Sequence, residues 1–446
     1  MLKSIILYAL ALAVTTPLRA QAPLALAEAF RRADSSAYAN RIAVGNAHAR
    51  GAQVTAALQG ILPTVRAEAG YVRSNNPLAV FGYTLQQRGV SMASFDPNSL
   101  NFPSAATNWN GGLVAEVPLV NVDAWFGRAA ASSAGAAAEA SAGWTRETTR
   151  VDVTRAFFGA ILAREQVGML EAAVVAGRAH VRQAESMVTN GLATKSDALL
   201  AAVQAGQLEA QLIGARGNAR IAVRHLALML GQPGDTSFIL PDSLPSADQV
   251  RSLAATPGHG ALRGDVAAAQ LGEEAAQRDM RRAAMVYIPR LNGFGRYDWK
   301  SPDQPFGGER SYTIGVMVSW SPFSGASQIA ERRAAEARVY VARAMAEAAE
   351  AGAAVEQRVT RTQLEVALAR LRIAEASVEQ GAEAHRIVGK KYAGGLATVA
   401  ELLSAAAVET QTRLGLVDAR FQAIIADAAV RQAVGADLMA LTALEN

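Results

Sequence analysis

Cysteine is absent from all 446 residues. That excludes disulfides, thiolate metal sites, a cysteine nucleophile and a lipid carried on an N-terminal cysteine of the mature chain. An excess of either charge is lacking as well. The net charge is +4, and despite a pI near 9.4 the basic residues are scattered along helical stretches without a basic block. The pattern suits a solvated helix surface and gives no reason to expect a nucleic-acid partner. After the first residues, no run of 18 lacks charge or strong polarity, so no membrane-spanning helix is expected. Phosphate-cradling and dinucleotide fingerprints are missing, and the serines lack a nucleophile-elbow setting. The histidines His48, His180, His225, His259 and His385 are dispersed and make no metal-ligand pair. No catalysis, metal or cofactor is therefore expected.

What is present begins with an export signal. Lys3 is the positive end, "SIILYALALAV" is an apolar segment too short to span a bilayer, and Thr15-Thr16-Pro17 breaks it. Cleavage after Ala20 would leave Gln21 first. Hydrophobic residues make up 51% of the chain, but many are alanines, which favour helix and bury little surface.

A phrase is written twice. "NGLATKSDALLAA" starts at Asn190 and "GGLATVAELLSAA" at Gly394, 204 residues later. The same offset pairs Pro118 in "LVAEVPLVN" with Pro322 in "MVSWSPFSG". Upstream, "ILPTVRAEAGY" from Ile61 resembles "YIPRLNGFGRY" from Tyr287 at an offset of 226, so the first copy carries 22 extra residues. They fall in "SNNPLAVFGYTLQQRGVSMASFDPNSLNFPSAATN", whose Asn, Ser, Pro and Gly content predicts a loop. The chain reads as a tandem duplication. Each copy runs helix, strand, loop, strand, long helix, tip phrase, helix.

The strands alternate. Val65, Ala67, Ala69 and Tyr71 oppose Arg66, Glu68 and Gly70. Leu291, Gly293, Gly295, Tyr297 and Trp299 oppose Asn292, Arg296 and Asp298, with Phe294 breaking the polar side. Tyr312, Ile314, Val316, Val318 and Trp320 oppose Ser311, Thr313, Gly315 and Ser319. "WNGGLVAEVPLV" falls out of phase under the proline alignment, as a bulge would make it. Long helices are expected from about Asn121 to Asn190, with no proline, and from about Gly325 to Gly394. Shorter ones are expected over Leu24–Gly60, Thr194–Leu230, Ala261–Tyr287 and Thr398–Leu441. Leu403, Ala407, Thr410, Leu414, Val417, Phe421, Ile424 and Ala428 form a regular heptad seam, and Leu364, Leu368, Leu371, Ala374 and Val378 a looser one. In the tips, Gly191 and Gly395 suit the left-handed position that ends a helix, and Thr194 and Thr398 suit the next N-cap. Asp197 and Glu401, three residues on, complete capping boxes.

Two strands of about ten residues per copy can cross a bilayer when tilted. Four strands cannot close a barrel, and open edges in lipid leave backbone groups unpaired at several kcal/mol each. Several chains must then pool their strands. This organisation resembles the TolC family of outer membrane efflux proteins, through the two strand phrases, "VPLVN" and "WSPFSG", the two "GLAT" tips and "LALMLGQPGDTSFILPDSLP" between the copies.

The resemblance implies a mixed α and β membrane protein. Its chains would form a homotrimer with a shared 12-strand β-barrel in outer membrane lipid and a long antiparallel coiled-coil periplasmic tunnel. On that frame residues 1–20 are the signal peptide. Residues 21–60 and 121–230 are the helices of repeat 1, and 61–120 its β-hairpin with an enlarged extracellular loop. Residues 231–260 are an equatorial segment between repeats, 261–287 and 323–441 the helices of repeat 2, and 288–322 its β-hairpin.

The implied function is the outer membrane channel of a tripartite efflux or type I secretion system. It would be a passive exit duct opened by a periplasmic adaptor (membrane fusion) protein and an inner-membrane pump of RND or ABC type. Gly191, Leu192, Ala193 and Thr194, with Gly395, Leu396, Ala397 and Thr398, are the implied adaptor-docking tips. Tyr392 and Glu401 match the family's constriction tyrosine and first aperture acid, and Asp197 and Ser196 match the facing positions. Ser404 stands where many members carry a second acid. The other class open to this chain is a periplasmic coiled-coil adaptor or structural protein without a barrel. That class would show one hairpin within split globular domains rather than two hairpins each joined to a strand pair.

Overall fold

The computed structural model describes residues 24–234, 238–254 and 262–445. The expected export signal and His259 lie outside them. In chain order the elements are α1 (Leu26–Ser36), α2 (Tyr38–Ala56), β1 (Thr64–Ser74), α3 (Pro77–Gln86), α4 (Pro97–Asn101), β2 (Ala106–Val120) and α5 (Val122–Thr189). They continue as α6 (Lys195–Met229), α7 (Ala247–Ala254), α8 (Gly264–Met285), β3 (Arg290–Ser301), β4 (Glu309–Ser319), α9 (Ser327–Ala393) and α10 (Val399–Val434). The chain is mostly helical with one small antiparallel sheet. The described residues divide into a unit within 41–145 and 262–356 and a unit within 24–40, 146–254 and 357–445.

The first unit holds the sheet, in the order β1-β2-β3-β4 with every neighbour antiparallel. Val65 sits opposite Ala115, which sits opposite Gly295, which sits opposite Ile314, so odd positions of β1 to β3 share a face with even positions of β4. The pairing of β2 with β3 slips by one residue between Pro118 and Val120. One extra residue turns a strand's alternation over, so β2 changes phase only after Leu119. Phe294, the apolar intruder on the polar face, lies over Gly315, where a Cβ would come within 2.7 Å of its ring.

The second unit holds the main core. Phe30 of α1, Phe157, Phe158 and Ile161 of α5, Leu226 of α6, Leu371 of α9 and Ile424 of α10 are all buried in it. Leu240, Leu244 and Val250 bring the segment between the copies into the same cluster. Of the heptad positions, Leu364, Leu371, Leu403, Val417, Ile424 and Ala428 are buried, Leu368, Ala374, Val378, Thr410, Leu414 and Phe421 are half-buried, and Ala407 is exposed.

Three expectations are corrected. The first helix is not continuous over Leu24–Gly60: it breaks at Ala37, whose ψ of 133° leaves the helical region. Asn40 caps the break by donating to the Ala33 carbonyl at 3.1 Å and accepting from Thr149 at 2.9 Å. Gly231, at φ +71°, lies so close that a Cβ would be 2.1 Å from the Ser36 carbonyl oxygen. Next, the last helix stops at Val434 rather than near Leu441, because Gly435 takes a left-handed φ of 69°, and a 3₁₀ segment follows over Leu438–Glu445. Finally, the stretch read as loop in the first hairpin contains α3, a 3₁₀ turn at Met92–Phe95, and α4. Asn76-Pro77 and Asp96-Pro97 punctuate it as N-cap and first helical residue, with each cap side chain accepting backbone N–H bonds.

Candidate functional sites at the hairpin tips and the sheet

Each tip is built from its own phrase. After α5, the Gly191 N–H donates to the Val188 carbonyl and the Leu192 N–H to Met187, 3.0 and 2.8 Å. After α9, Gly395 donates to Tyr392 and Leu396 to Lys391 at the same 3.0 and 2.8 Å. Both are Schellman turns, and both glycines are left-handed, φ +72° and +73°. The capping boxes close behind them. The Thr194 N–H and hydroxyl both donate to Asp197, 2.9 and 2.8 Å, and the Asp197 N–H returns to the hydroxyl. Thr398 and Glu401 repeat the arrangement at 2.7 and 3.0 Å. The backbone N–H bond, then the hydroxyl bond, holds each carboxyl below its ordinary pKa. Ser196 lies 2.6 Å from the Thr194 hydroxyl. Leu192 and Leu396, 73% and 81% exposed, point apolar side chains away from their own turns.

Behind the tips a small cluster joins the two hairpins. Tyr392 is 3% exposed and packs with Ala184 of α5, Ala201 of α6, and Val399, Leu402 and Leu403 of α10. Its hydroxyl is buried without a hydrogen-bond partner among the described residues. Burial, and secondarily the charge of Asp197, raises its pKa.

The sheet is inverted relative to a soluble one. Its apolar face carries Val65, Leu113, Tyr312, Ile314, Val316 and Val318, all exposed, with Ile314 at 78%. Tyr71 with Trp109, and Tyr297 with Trp299, form aromatic pairs toward one end. Its other face carries a charge ladder: Arg66–Glu68 at 2.9 Å, Glu68–Arg296 at 3.6 Å and Arg296–Asp298 at 2.8 Å. Lys300 donates to Asn110 there at 2.9 Å. Among the described residues, the outer edges of β1 and β4 are unpaired. No described helix is long and apolar enough to cross a membrane.

The family model described as outer membrane efflux protein matches residues 36–232 and 261–436. The chain belongs to that family. Solved structures agree in fold. The outer membrane protein VceC of Vibrio cholerae is 21% identical with a TM-score of 0.76, over 92% of this chain and 96% of that one. The Campylobacter jejuni CmeC outer membrane channel is 15% identical with a TM-score of 0.75, over 92% and 85%. The open-state Neisseria gonorrhoeae MtrE outer membrane channel is 18% identical with a TM-score of 0.72, over 93% and 90%. Among curated proteins, no sequence matches. As an outer membrane efflux protein the chain resides in the outer membrane.

Of the residues expected at the family's aperture, Tyr392 and Asp197 are brought within electrostatic reach of each other. Glu401 and Ser404 lie exposed on the first turns of α10. Sequence reasoning missed a second meeting of the hairpins. His180 and His385, 205 residues apart in sequence, stack edge to face with ring centroids 5.5 Å apart. Each lies about three turns before its tip phrase.

Proposed function

We propose that three copies of this efflux protein close a twelve-strand barrel through the edges of β1 and β4, and that their paired helices form a periplasmic tunnel. The chain's strand-and-helix order, written twice, is a duplicated unit. The observation that carries the proposal is the open four-strand sheet. Its apolar face is exposed, its charged face is opposite, and both its edges are unpaired. In lipid such edges leave backbone groups unsatisfied at several kcal/mol each, and pairing with further copies removes that cost. The apolar face then meets lipid and the Arg66–Glu68–Arg296–Asp298 ladder lines the pore.

The duct is passive. Energy comes from an inner-membrane pump of RND or ABC type, and a periplasmic adaptor bridges pump and duct at the tips. Leu192 and Leu396 offer the adaptor one apolar contact per hairpin, presented by a rigid turn. Around the axis Tyr392, Glu401 and Asp197, with Ser196 and Ser404 beside them, form the aperture. Carboxylates from three chains in a narrow opening repel one another, so closure needs compensating contacts or bound cations. A barrel-free periplasmic adaptor has no use for an exposed apolar sheet face.

Mass measurement in detergent tests the assembly, with a trimer of the processed chain expected. A stable, folded, water-soluble monomer overturns it. Leu192→Asp and Leu396→Asp should abolish export while protein levels stay normal, and undiminished export would place docking elsewhere.

A further inference from the structure

His180 of α5 and His385 of α9 both line a cavity of about 640 Å³ within the unit that carries the tips, bounded also by α6 and α10. Small residues, Ala176 and Gly177 on one wall and Ala406 on another, leave that space open between the helices. The His180 Nε2 is buried and has no hydrogen-bond partner among the described residues. A buried polar nitrogen left unbonded is costly, and a bound cation is one partner that would satisfy it. His385 is differently held. Its Nδ1 faces the Glu409 carboxylate at 2.5 Å, and Glu409 is itself fixed by Arg413 at 2.6 and 3.0 Å. With Nδ1–H donating to the carboxylate, the lone pair of His385 is on Nε2. A carboxylate holding the far nitrogen of an imidazole is the outer-shell arrangement that orients metal-binding histidines.

We propose that His180 and His385 bind one divalent transition-metal cation, of the kind imidazole prefers, in the cavity between the two hairpins, with Glu409 as the positioning residue. Zinc, nickel and copper suit imidazole, whereas magnesium and calcium take oxygen ligands. No group of three or more His, Asp or Glu able to hold a metal occurs among the described residues, so water completes the coordination of a two-imidazole site. The bound cation ties α5 to α9 about three turns behind the tips, and so couples the two hairpins of one chain. The site is made within a single chain and does not depend on the trimer or on its partners.

The test uses the full processed chain in detergent, stripped with chelator and titrated calorimetrically with zinc, nickel, copper and magnesium salts. One equivalent per chain of a transition-metal ion, with no magnesium binding, is expected. His180→Gln and His385→Gln should each lower affinity at least about tenfold, and Glu409→Gln about 10- to 100-fold. Wild-type protein that binds no more tightly than the double variant His180→Gln/His385→Gln overturns the proposal. Copper electron paramagnetic resonance on the wild type supplies a readout that needs no variant. Coupling to two imidazole nitrogens supports the site, and a spectrum with oxygen ligands alone sinks it.

Discussion

The tip between α5 and α6 and the tip between α9 and α10 share a phrase, a Schellman turn and a capping box, but they are anchored differently. Where the second tip has Tyr392, Val399, Leu402 and Leu403, all buried, the first has Val188, Lys195, Ala198 and Leu199 at the same 204-residue spacing. Leu199 is 58% exposed and Leu403 is 8%. Local sequence therefore dictates the turn twice, while the packing behind it is concentrated on the second hairpin. A duplicated phrase fixes what depends on neighbours in sequence. What depends on neighbours in space has diverged.

The largest expected effect probes that divergence directly. Leu402→Ala should destabilise by about 2–5 kcal/mol through lost burial and the cavity left behind. Leu199→Ala should stay within about 0.5 kcal/mol, as exposed substitutions do. Denaturant unfolding in detergent, read beside amide exchange of α10, measures both. Equal losses would mean the first tip is as firmly packed as the second.

Next come the turns, where the two tips should agree. A Cβ at Gly191 or Gly395 meets open space, so the only penalty for Gly→Ala is the left-handed backbone. That is worth about 1–2 kcal/mol at either site. A penalty at one tip alone would show that its turn is held by packing rather than by its own glycine.

These tips were legible because every determinant lies within a dozen residues: the glycine, the threonine and the acid three positions on. The strands were legible for a similar reason, since alternation reports a half-exposed sheet whatever surrounds it. The break at Ala37 was not. Ala37 has no helix-breaking chemistry, and the bend is made by Asn40 reaching Ala33 and by the close approach of Gly231. Residues 77–101 misled in the other direction, because Asn-Pro and Asp-Pro begin a short helix as readily as a turn. Gly435 announced the end of α10 by the same grammar as Gly191, and was read through. The meeting of His180 with His385 arises only when two antiparallel hairpins are laid side by side, and no local pattern contains it.

The capping boxes give a smaller effect, and one with a pH signature. Thr194→Ala and Thr398→Ala should each lose about 1 kcal/mol. Asp197 and Glu401 have folded pKa values held below the ordinary 3.8 and 4.5. A depressed carboxylate contributes stability that is fully present above its ordinary value and is lost as pH falls through the lowered folded one. The stability difference between wild type and Glu401→Gln should thus be flat above about pH 4.5 and shrink only in more acid solution. A difference that changes between pH 6 and 8 would implicate some other group.

The last effect is a gain in stability, at Tyr392→Phe, and it separates packing from gating. Within one chain the Tyr392 ring fills the inter-hairpin cluster while its hydroxyl is buried without a partner among the described residues. Phenylalanine keeps the ring and removes the unpaired hydroxyl, so unfolding should shift toward greater stability by about 1 kcal/mol. If the aperture proposal is right, the ring turns out of this cluster in the closed trimer so that the hydroxyl reaches an acceptor on the hairpin of a neighbouring chain, and its removal loosens closure. Single-channel conductance in a planar bilayer should then rise although the fold is untouched. A variant that conducts as the wild type does would leave Tyr392 as a packing residue only. The constriction would then have to be carried by the Asp197 and Glu401 carboxylates, through cations bound between them that offset their mutual repulsion.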